Sequence, residues 1–139
     1  MNSLLKNTAI ATLTDIWLLL LRVLGGGFMF LEHGLPKWQK LMAGGTIKFR
    51  DPLHIGTYPS LLLAVFAEVF CALLLLLGVK SRLMSIPLMI TMIVAAFVAH
   101  SDDPFAKKEA ALLYLLLYGT IFVFGGGKHS IDGLRERNR

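Results

Sequence analysis

A carboxylate stands in the middle of one strongly apolar stretch of this chain, and an arginine stands in another. Glu68 is the only formally charged residue in segment 60–79, and Arg22 lies within segment 14–35. A charge inside a bilayer is costly unless it is paired or neutralised, and such residues mark functional sites. At 1.5 Å per residue, Glu68 and Arg22 each lie about 12 Å deep, measured from opposite sides of the membrane. We therefore predict a buried Arg22–Glu68 ion pair.

Further polar residues gather where the helices approach Glu68. At 100° per residue, Gly26, Met29 and His33 share a helix face with Arg22. We predict Glu68, His33 and Arg22 as catalytic residues, with Arg22 keeping Glu68 charged and oriented. Glu32 lies around the mouth of the same pocket. The predicted cofactor-binding residues come from all the apolar stretches and their ends: Arg22, Met29, His33, Lys37, Glu68, His100 and Glu109.

Two ligand chemistries suit such a cluster. A small apolar molecule with polar carbonyls, such as a quinone, would use His33, His100 and Glu68 to exchange protons. Histidines with carboxylates also bind zinc, iron or copper. Neither histidine has a second histidine four residues away on the same helix, so the sequence favours a quinone over a metal.

Each residue also has a structural explanation. The Arg22–Glu68 pair would satisfy two buried charges without any ligand. The other side chains would be explained by an interfacial position, a helix N-terminus or core packing: His33, His100, Glu109, Cys71. Their occurrence at one end of the predicted bundle is what favours a site.

The elements that position these residues are membrane helices. Mean hydropathy is +0.66 and 55% of the residues are hydrophobic, which is too apolar for a soluble domain of this length. A span needs about 20 residues. We predict one domain over residues 1–139, an all-α antiparallel bundle of four transmembrane helices. The predicted helices are 14–35, 60–79, 82–100 and 106–124. A long loop is predicted at 36–59 and a polar tail at 128–139. Pro36 is expected to end the first helix.

Charge and cysteine usage exclude other classes. The net charge of +5 is spread over tails and loops without a basic helix face, so a nucleic-acid partner is not expected. The single cysteine, Cys71, cannot form an intrachain disulfide. No cleavage site follows the first apolar stretch, so we expect it to remain as a membrane helix. The side of the membrane that holds both termini carries seven Lys/Arg residues, against six on the other side. This difference favours cytoplasmic termini.

Five short motifs, taken in order, resemble the DoxX family of small bacterial membrane proteins. None is specific alone, but together they cover residues 18–133: Arg22-Val23-Leu24-Gly25, His33-Gly34-Leu35-Pro36-Lys37, Glu68 with 76–82, Glu109 with 112–114, and the glycine-rich segment 125–132. The resemblance implies a four-helix protein of the bacterial inner membrane. A related subfamily, DoxD, is linked to thiosulfate oxidation coupled to quinone, and other relatives are described as components of membrane oxidoreductase systems.

These observations predict a redox-associated membrane subunit that binds a quinone-like molecule in a polar intramembrane pocket. If the protein is an enzyme, it would be a component of a quinone-linked oxidoreductase, and other redox proteins would be its partners. Two alternatives stay open: a non-catalytic scaffold or assembly factor, and a small metal or solute carrier. The lateral surface of four short helices is also compatible with a homodimer.

Overall fold

The computed structural model describes residues 2–138, and the side chains of residues 7–138. This part of the chain is all-α, as predicted, and contains no strand. We number its helices α1 to α5 and treat internal π-helical segments as parts of the longer helices. In order they are α1 (Asn2–Phe28, Met29–Gly34, Leu35–Ala43), α2 (Thr57–Val65, Phe66–Cys71, Ala72–Leu77), α3 (Ser81–Val94, Ala95–Ala99), α4 (Phe105–Phe124) and α5 (Ile131–Arg137).

The first helix does not end at Pro36, and this prediction was wrong. Helix α1 continues to Ala43, because Pro36 stands in the first turn of the α-helical segment that follows the π-helical one. A proline is tolerated there, where its missing N–H removes no regular hydrogen bond. Gly44 and Gly45, both with positive φ, then end the helix. The connection to α2 therefore shrinks from the predicted 36–59 to residues 44–56.

Close contacts at glycines show that α1 lies between α2 and α4. A Cβ on Gly26 would lie 2.9 Å from the Ala72 carbonyl oxygen of α2, and one on Gly25 would lie 2.6 Å from Leu117 of α4. The Tyr118 hydroxyl also donates to the Gly25 carbonyl at 3.1 Å. As residue numbers increase along α1, the numbers of the residues it contacts in α2 and in α4 decrease. Both neighbouring helices therefore run antiparallel to α1. Such small residues let helices approach closely in membranes.

The exterior of the bundle is apolar, as a bilayer requires. Among the described residues, three helical stretches are long and apolar enough to cross a membrane: Asn7–Ala43, Thr57–Leu77 and Ser81–Ala99. Their outward faces expose large hydrophobic side chains, whereas the buried core lies between α1, α2, α3 and α4. The chain is thus a multi-pass membrane protein. Helix α4 begins with charged residues (Lys107, Lys108, Glu109), and its span stays a prediction.

Arg22 joins three parts of the chain at the end of the bundle opposite to Glu68. Its guanidinium donates to the carbonyls of Gly126 at 3.0 Å, Leu76 at 2.8 Å and His129 at 2.8 Å. Leu76 lies in the last turn of α2, where helix carbonyls lack intrahelical partners and carry partial negative charge. Arg22, itself only 1% exposed, therefore fixes the end of α2 and the glycine-rich segment to α1.

Candidate functional site

The contact between α1 and α2 near the long loop creates a buried ion pair. A Cβ on Gly34 would overlap the backbone carbonyl of Glu68, so only glycine lets the two helices touch here. This approach places Lys37, three residues further along α1, against Glu68, and the ammonium donates to Oε2 of the carboxylate. The Glu68 side chain is 4% exposed and that of Lys37 is 23% exposed. A carboxylate this buried needs its cationic partner.

Three π-helical segments lie at this end of the bundle, one in each of α1, α2 and α3. They span Met29–Gly34, Phe66–Cys71 and Ala95–Ala99. The first ends at the glycine that touches α2, the second contains Glu68, and the third ends one residue before His100. A π-helical turn inserts an extra residue into a helix, and such segments are common at functional sites. Here they turn the ion pair and His100 toward a shared space.

That space is a cavity of about 470 Å³ between α2, α3 and the 44–56 loop. This volume lies within the usual range for small-molecule sites, about 300–1,000 Å³. Its walls are mainly apolar, with contributions from Phe49, Pro52, Leu53, Leu63, Ala64, Phe66, Pro87, Ile90, Val94, Ala95 and Ala99. Six polar residues complete the lining: Lys37, Arg50, Ser60, Glu68, Thr91 and His100. An apolar chamber with few polar groups suits an amphipathic ligand.

The mouth of the cavity carries a second set of charges. His100 Nδ1 and Asp103 Oδ2 are 2.6 Å apart, and Arg50 donates to the Ala99 carbonyl while lying 3.9 Å from the same carboxylate. The hydrogen bond with His100 is the largest of the contacts that lower the pKa of Asp103. Asp103 thus stays ionised over a wide pH range and orients the imidazole at the rim.

The loop that covers the cavity is internally braced. Asp51 accepts hydrogen bonds from the Ser60 hydroxyl at 2.6 Å and from the backbone N–H groups of Ile55 and Gly56 at 3.2 and 2.7 Å. The bond from Ser60 is the main cause of the lowered pKa of Asp51. These bonds fix the 51–56 turn to the start of α2 and position the neighbouring residues 49, 50, 52 and 53 over the cavity.

The predicted Arg22–Glu68 pair does not form, and this prediction was wrong. Arg22 lies level with Leu76, and eight residues of α2 separate that position from Glu68, or about 12 Å of helix. Both charges are satisfied where they are, Arg22 by carbonyls and Glu68 by Lys37. The depth estimate placed the two too close, and the continuation of α1 beyond Pro36 supplies Glu68 with a nearer cation, Lys37.

The shared face of Arg22 and His33 is also not observed. The π-helical segment Met29–Gly34 changes the rotation per residue, so that Gly34 rather than His33 faces α2. His33 is exposed, and its ring meets that of Tyr114 of α4 edge-on, with centroids 6.0 Å apart. Met29 is buried in the core. Glu32 and Glu109 are exposed and do not line the cavity.

Of the predicted site residues, the structure brings Lys37, Glu68 and His100 together around one cavity. Arg50 and Thr91, which were not predicted, also line it. Arg50 lies in the long loop and resembles any interfacial arginine in the sequence, whereas Thr91 is an ordinary residue of an apolar helix. Neither residue could be identified from the sequence, because their place at the cavity depends on where the loop lies and on the π-helical segments.

A metal site finds no support in the side chains that the structure describes, residues 7–138. Within them, no group of three or more His, Cys, Asp or Glu side chains is close enough to hold a metal ion. His100 has one carboxylate neighbour, Asp103, and the remaining groups at the mouth are cationic. The donor set around the cavity therefore suits hydrogen bonds to a polar ligand group better than coordination of a cation.

The fold and site define a class: a multi-pass, all-helical membrane protein with a buried lysine–glutamate pair at the base of an apolar cavity. The model of the DoxX family matches residues 17–101, more than half of the chain. The chain belongs to the DoxX family. The matched region includes Arg22, Lys37, Glu68 and His100. Neither a curated protein nor a solved structure matches the chain.

Proposed function

We propose that the cavity binds a quinone-like molecule and that the protein is a redox-associated subunit of the bacterial inner membrane, with both termini in the cytoplasm. The observation that carries this proposal is the Lys37–Glu68 pair at the base of an otherwise apolar cavity of about 470 Å³. A quinone ring would fill the apolar chamber. The isoprenoid tail of the quinone would extend out of the cavity and remain in apolar surroundings.

The polar groups are arranged for a ring with carbonyls at both ends. The Lys37 ammonium has three donors and uses one of them for Glu68, so it can also donate to a ligand carbonyl at the base. Thr91 lies on the wall, and Arg50 and His100 lie at the mouth, where they can meet a second carbonyl. The geometry thus offers donors at two separate positions of one chamber.

The same groups can manage protons when a bound ring is reduced or oxidised. When a bound quinol is oxidised, the Glu68 carboxylate can accept a proton from a ring hydroxyl, and when a bound quinone is reduced, the Lys37 ammonium can donate one to a ring oxygen. His100, oriented by Asp103, exchanges protons with water at the rim. A partner redox protein would supply the electrons when the ring is reduced and accept them when it is oxidised, since the single cysteine of the chain is buried.

The test is the binding of a short-chain ubiquinone or menaquinone analogue to the purified protein in detergent, measured by microscale thermophoresis. We expect Glu68→Gln to weaken binding at least 10-fold, because it removes the carboxylate that holds the Lys37 ammonium in position to donate to a ligand carbonyl. Glu109→Gln, an exposed glutamate away from the cavity, is the matched control and should bind as the wild type does. Equal affinity in all three proteins would refute the proposed site.

A scaffold function would leave a different pattern. Both variants would then keep their partner proteins in cross-linking from native membranes, and neither would show quinone binding. A solute carrier would show transport without a bound quinone. The proposal requires saturable quinone binding that depends on Glu68 and is indifferent to Glu109.

A further inference from the structure

A second cavity lies at the opposite end of the bundle, next to the short α2–α3 connection. Its volume is about 810 Å³, and it is bounded by that connection, the glycine-rich segment 125–127 and helix α5. Five cationic side chains line it, against three carboxylates: Lys80, Arg82, Lys128, Arg135 and Arg137 against Asp15, Asp132 and Glu136. None of these residues belongs to the quinone site.

Two of the three carboxylates are already engaged. Asp15 accepts from the Lys128 backbone N–H at 3.0 Å and lies 3.4 Å from its ammonium. Asp132 accepts from the backbone N–H groups of Lys80 and Ser81 at 2.8 and 2.7 Å and from the Ser81 hydroxyl at 3.0 Å. These bonds fold the C-terminal segment back against the α2–α3 connection and build one wall of the cavity.

The remaining cations make no ion pair as close as these, although the charge of Arg135 contributes to the lowered pKa of Asp132. Among the described residues, the side chains of Lys80, Arg82, Arg135 and Arg137 form no ion pair within 4.0 Å. They converge on one cavity from the start of α3 and from the end of α5. Unpaired arginines that converge on one space favour a ligand with phosphate oxygens, which guanidinium groups bind in pairs of hydrogen bonds.

An apolar groove continues from this cavity along the bundle. It lies between α1 and α4, has a volume of about 620 Å³ and is lined by Leu13, Ile16, Trp17, Leu18 and Phe124, among others. Phe124 lines both spaces, and Asp15 of the basic cavity lies between residues of the groove on the same helix. A charged chamber and an apolar groove therefore meet at the end of a membrane helix.

We propose that this composite site binds an anionic phospholipid, with its phosphate among Arg82, Arg135 and Arg137 and one acyl chain in the groove along Trp17. A soluble phosphate would use only the basic cavity, whereas a lipid uses both parts. Basic clusters next to membrane helices bind anionic lipids, with each cation contributing to the affinity.

The test counts lipids retained by the purified protein in native mass spectrometry. The probe is an equal mixture of dioleoyl phosphatidylglycerol and dioleoyl phosphatidylcholine in detergent. We expect one phosphatidylglycerol to bind preferentially, and we expect Arg82→Gln/Arg135→Gln to weaken this binding about 10-fold or more. Lys107→Gln/Lys108→Gln removes the same charge from the other end of the bundle and should retain the preference.

Two further arms separate the sources of phosphate and the effects of folding. Glycerol 3-phosphate carries the head-group chemistry without acyl chains, and it should not displace the lipid at equal concentration. Arg82→Lys/Arg135→Lys keeps the charge without the paired donors of the guanidinium groups, so it should recover part of the preference. The proposal is overturned if the two lipids bind equally, if the Lys107/Lys108 variant loses as much, or if glycerol 3-phosphate competes as well as the lipid.

Discussion

Replacing Arg22 by methionine separates a structural arginine from a ligand-binding one. Methionine keeps an unbranched, apolar side chain but provides no donors. The change removes three hydrogen bonds of 2.8–3.0 Å from Arg22 to the carbonyls of Gly126, Leu76 and His129, and a longer one of 3.4 Å to the Leu75 carbonyl. These carbonyls join the end of α2 and the glycine-rich segment to α1. We expect Arg22→Met to destabilise this end of the bundle while leaving the quinone cavity intact.

The magnitude follows from the number of bonds and from their surroundings. A hydrogen bond to a charged group contributes about 1.5–3 kcal/mol in soluble proteins, whereas interhelical hydrogen bonds in membranes average about 0.6 kcal/mol. Three bonds together then give a loss of about 2–5 kcal/mol, taking the low end of the first range. Such a loss corresponds to a fall in Tm on the order of 10 °C.

The assay is thermal unfolding in detergent, followed by tryptophan fluorescence, with Lys107→Met as control. Lys107 is an exposed cation that lines neither cavity, so its loss should change stability by less than about 1 kcal/mol. Quinone affinity of the folded Arg22→Met protein should equal that of the wild type. An unchanged Tm combined with lost quinone binding would refute the structural role of Arg22 and restore it to the site.

Further predictions concern helix contact, pH and cavity volume. Gly34→Ala should lower stability by about 1–3 kcal/mol through overlap with the α2 backbone, whereas Gly119→Ala, with no neighbour within 4 Å, should change it by less than about 1 kcal/mol; thermal unfolding compares them. Burial raises the pKa of Asp132, but hydrogen bonds from the Ser81 and Lys80 backbones outweigh it, and the net shift is downward. The ionised form of Asp132 therefore stabilises the fold above about pH 3.9, and this contribution is lost as the pH falls through the lower pKa of the folded state. Asp132→Asn should remove this part of the fall in Tm when Tm is measured between about pH 5 and 3. Ala95→Phe should narrow the cavity and weaken quinone binding, measured by microscale thermophoresis, whereas lipid-facing Leu116→Phe should leave it unchanged.

The helices and their order could be predicted because apolar length and short connections determine them. Three of the predicted spans agree with helical stretches that are long and apolar enough to cross a membrane. The end of the first helix could not be predicted from Pro36, because the preceding π-helical segment makes a proline acceptable there. That one error hid eight further helical residues, 36–43, and with them the position of Lys37.

The ion pair shows why a site is harder to predict than a span. Glu68 was identified because a carboxylate in an apolar segment needs a partner, and the structure gives it one. The partner was not Arg22, because Arg22 lies level with Leu76, about 12 Å of helix away from Glu68. The predicted face shared by Arg22 and His33 failed for another reason, because helical projection at 100° per residue does not hold across the π-helical segment that contains His33. A registry shift of one residue changes which side chains face each other, and no residue in 29–34 marks the π-helical turn.

The most direct measurement of the central claim is photolabelling of membranes with an azidoquinone, followed by peptide mapping. We predict label in the segments that line the cavity, residues 49–53 and 87–100, with protection by excess unlabelled quinone and loss of label in Glu68→Gln but not in Glu109→Gln. Label spread over the lipid-facing surfaces of α1 and α4, without protection by excess quinone, would contradict a quinone site in this cavity.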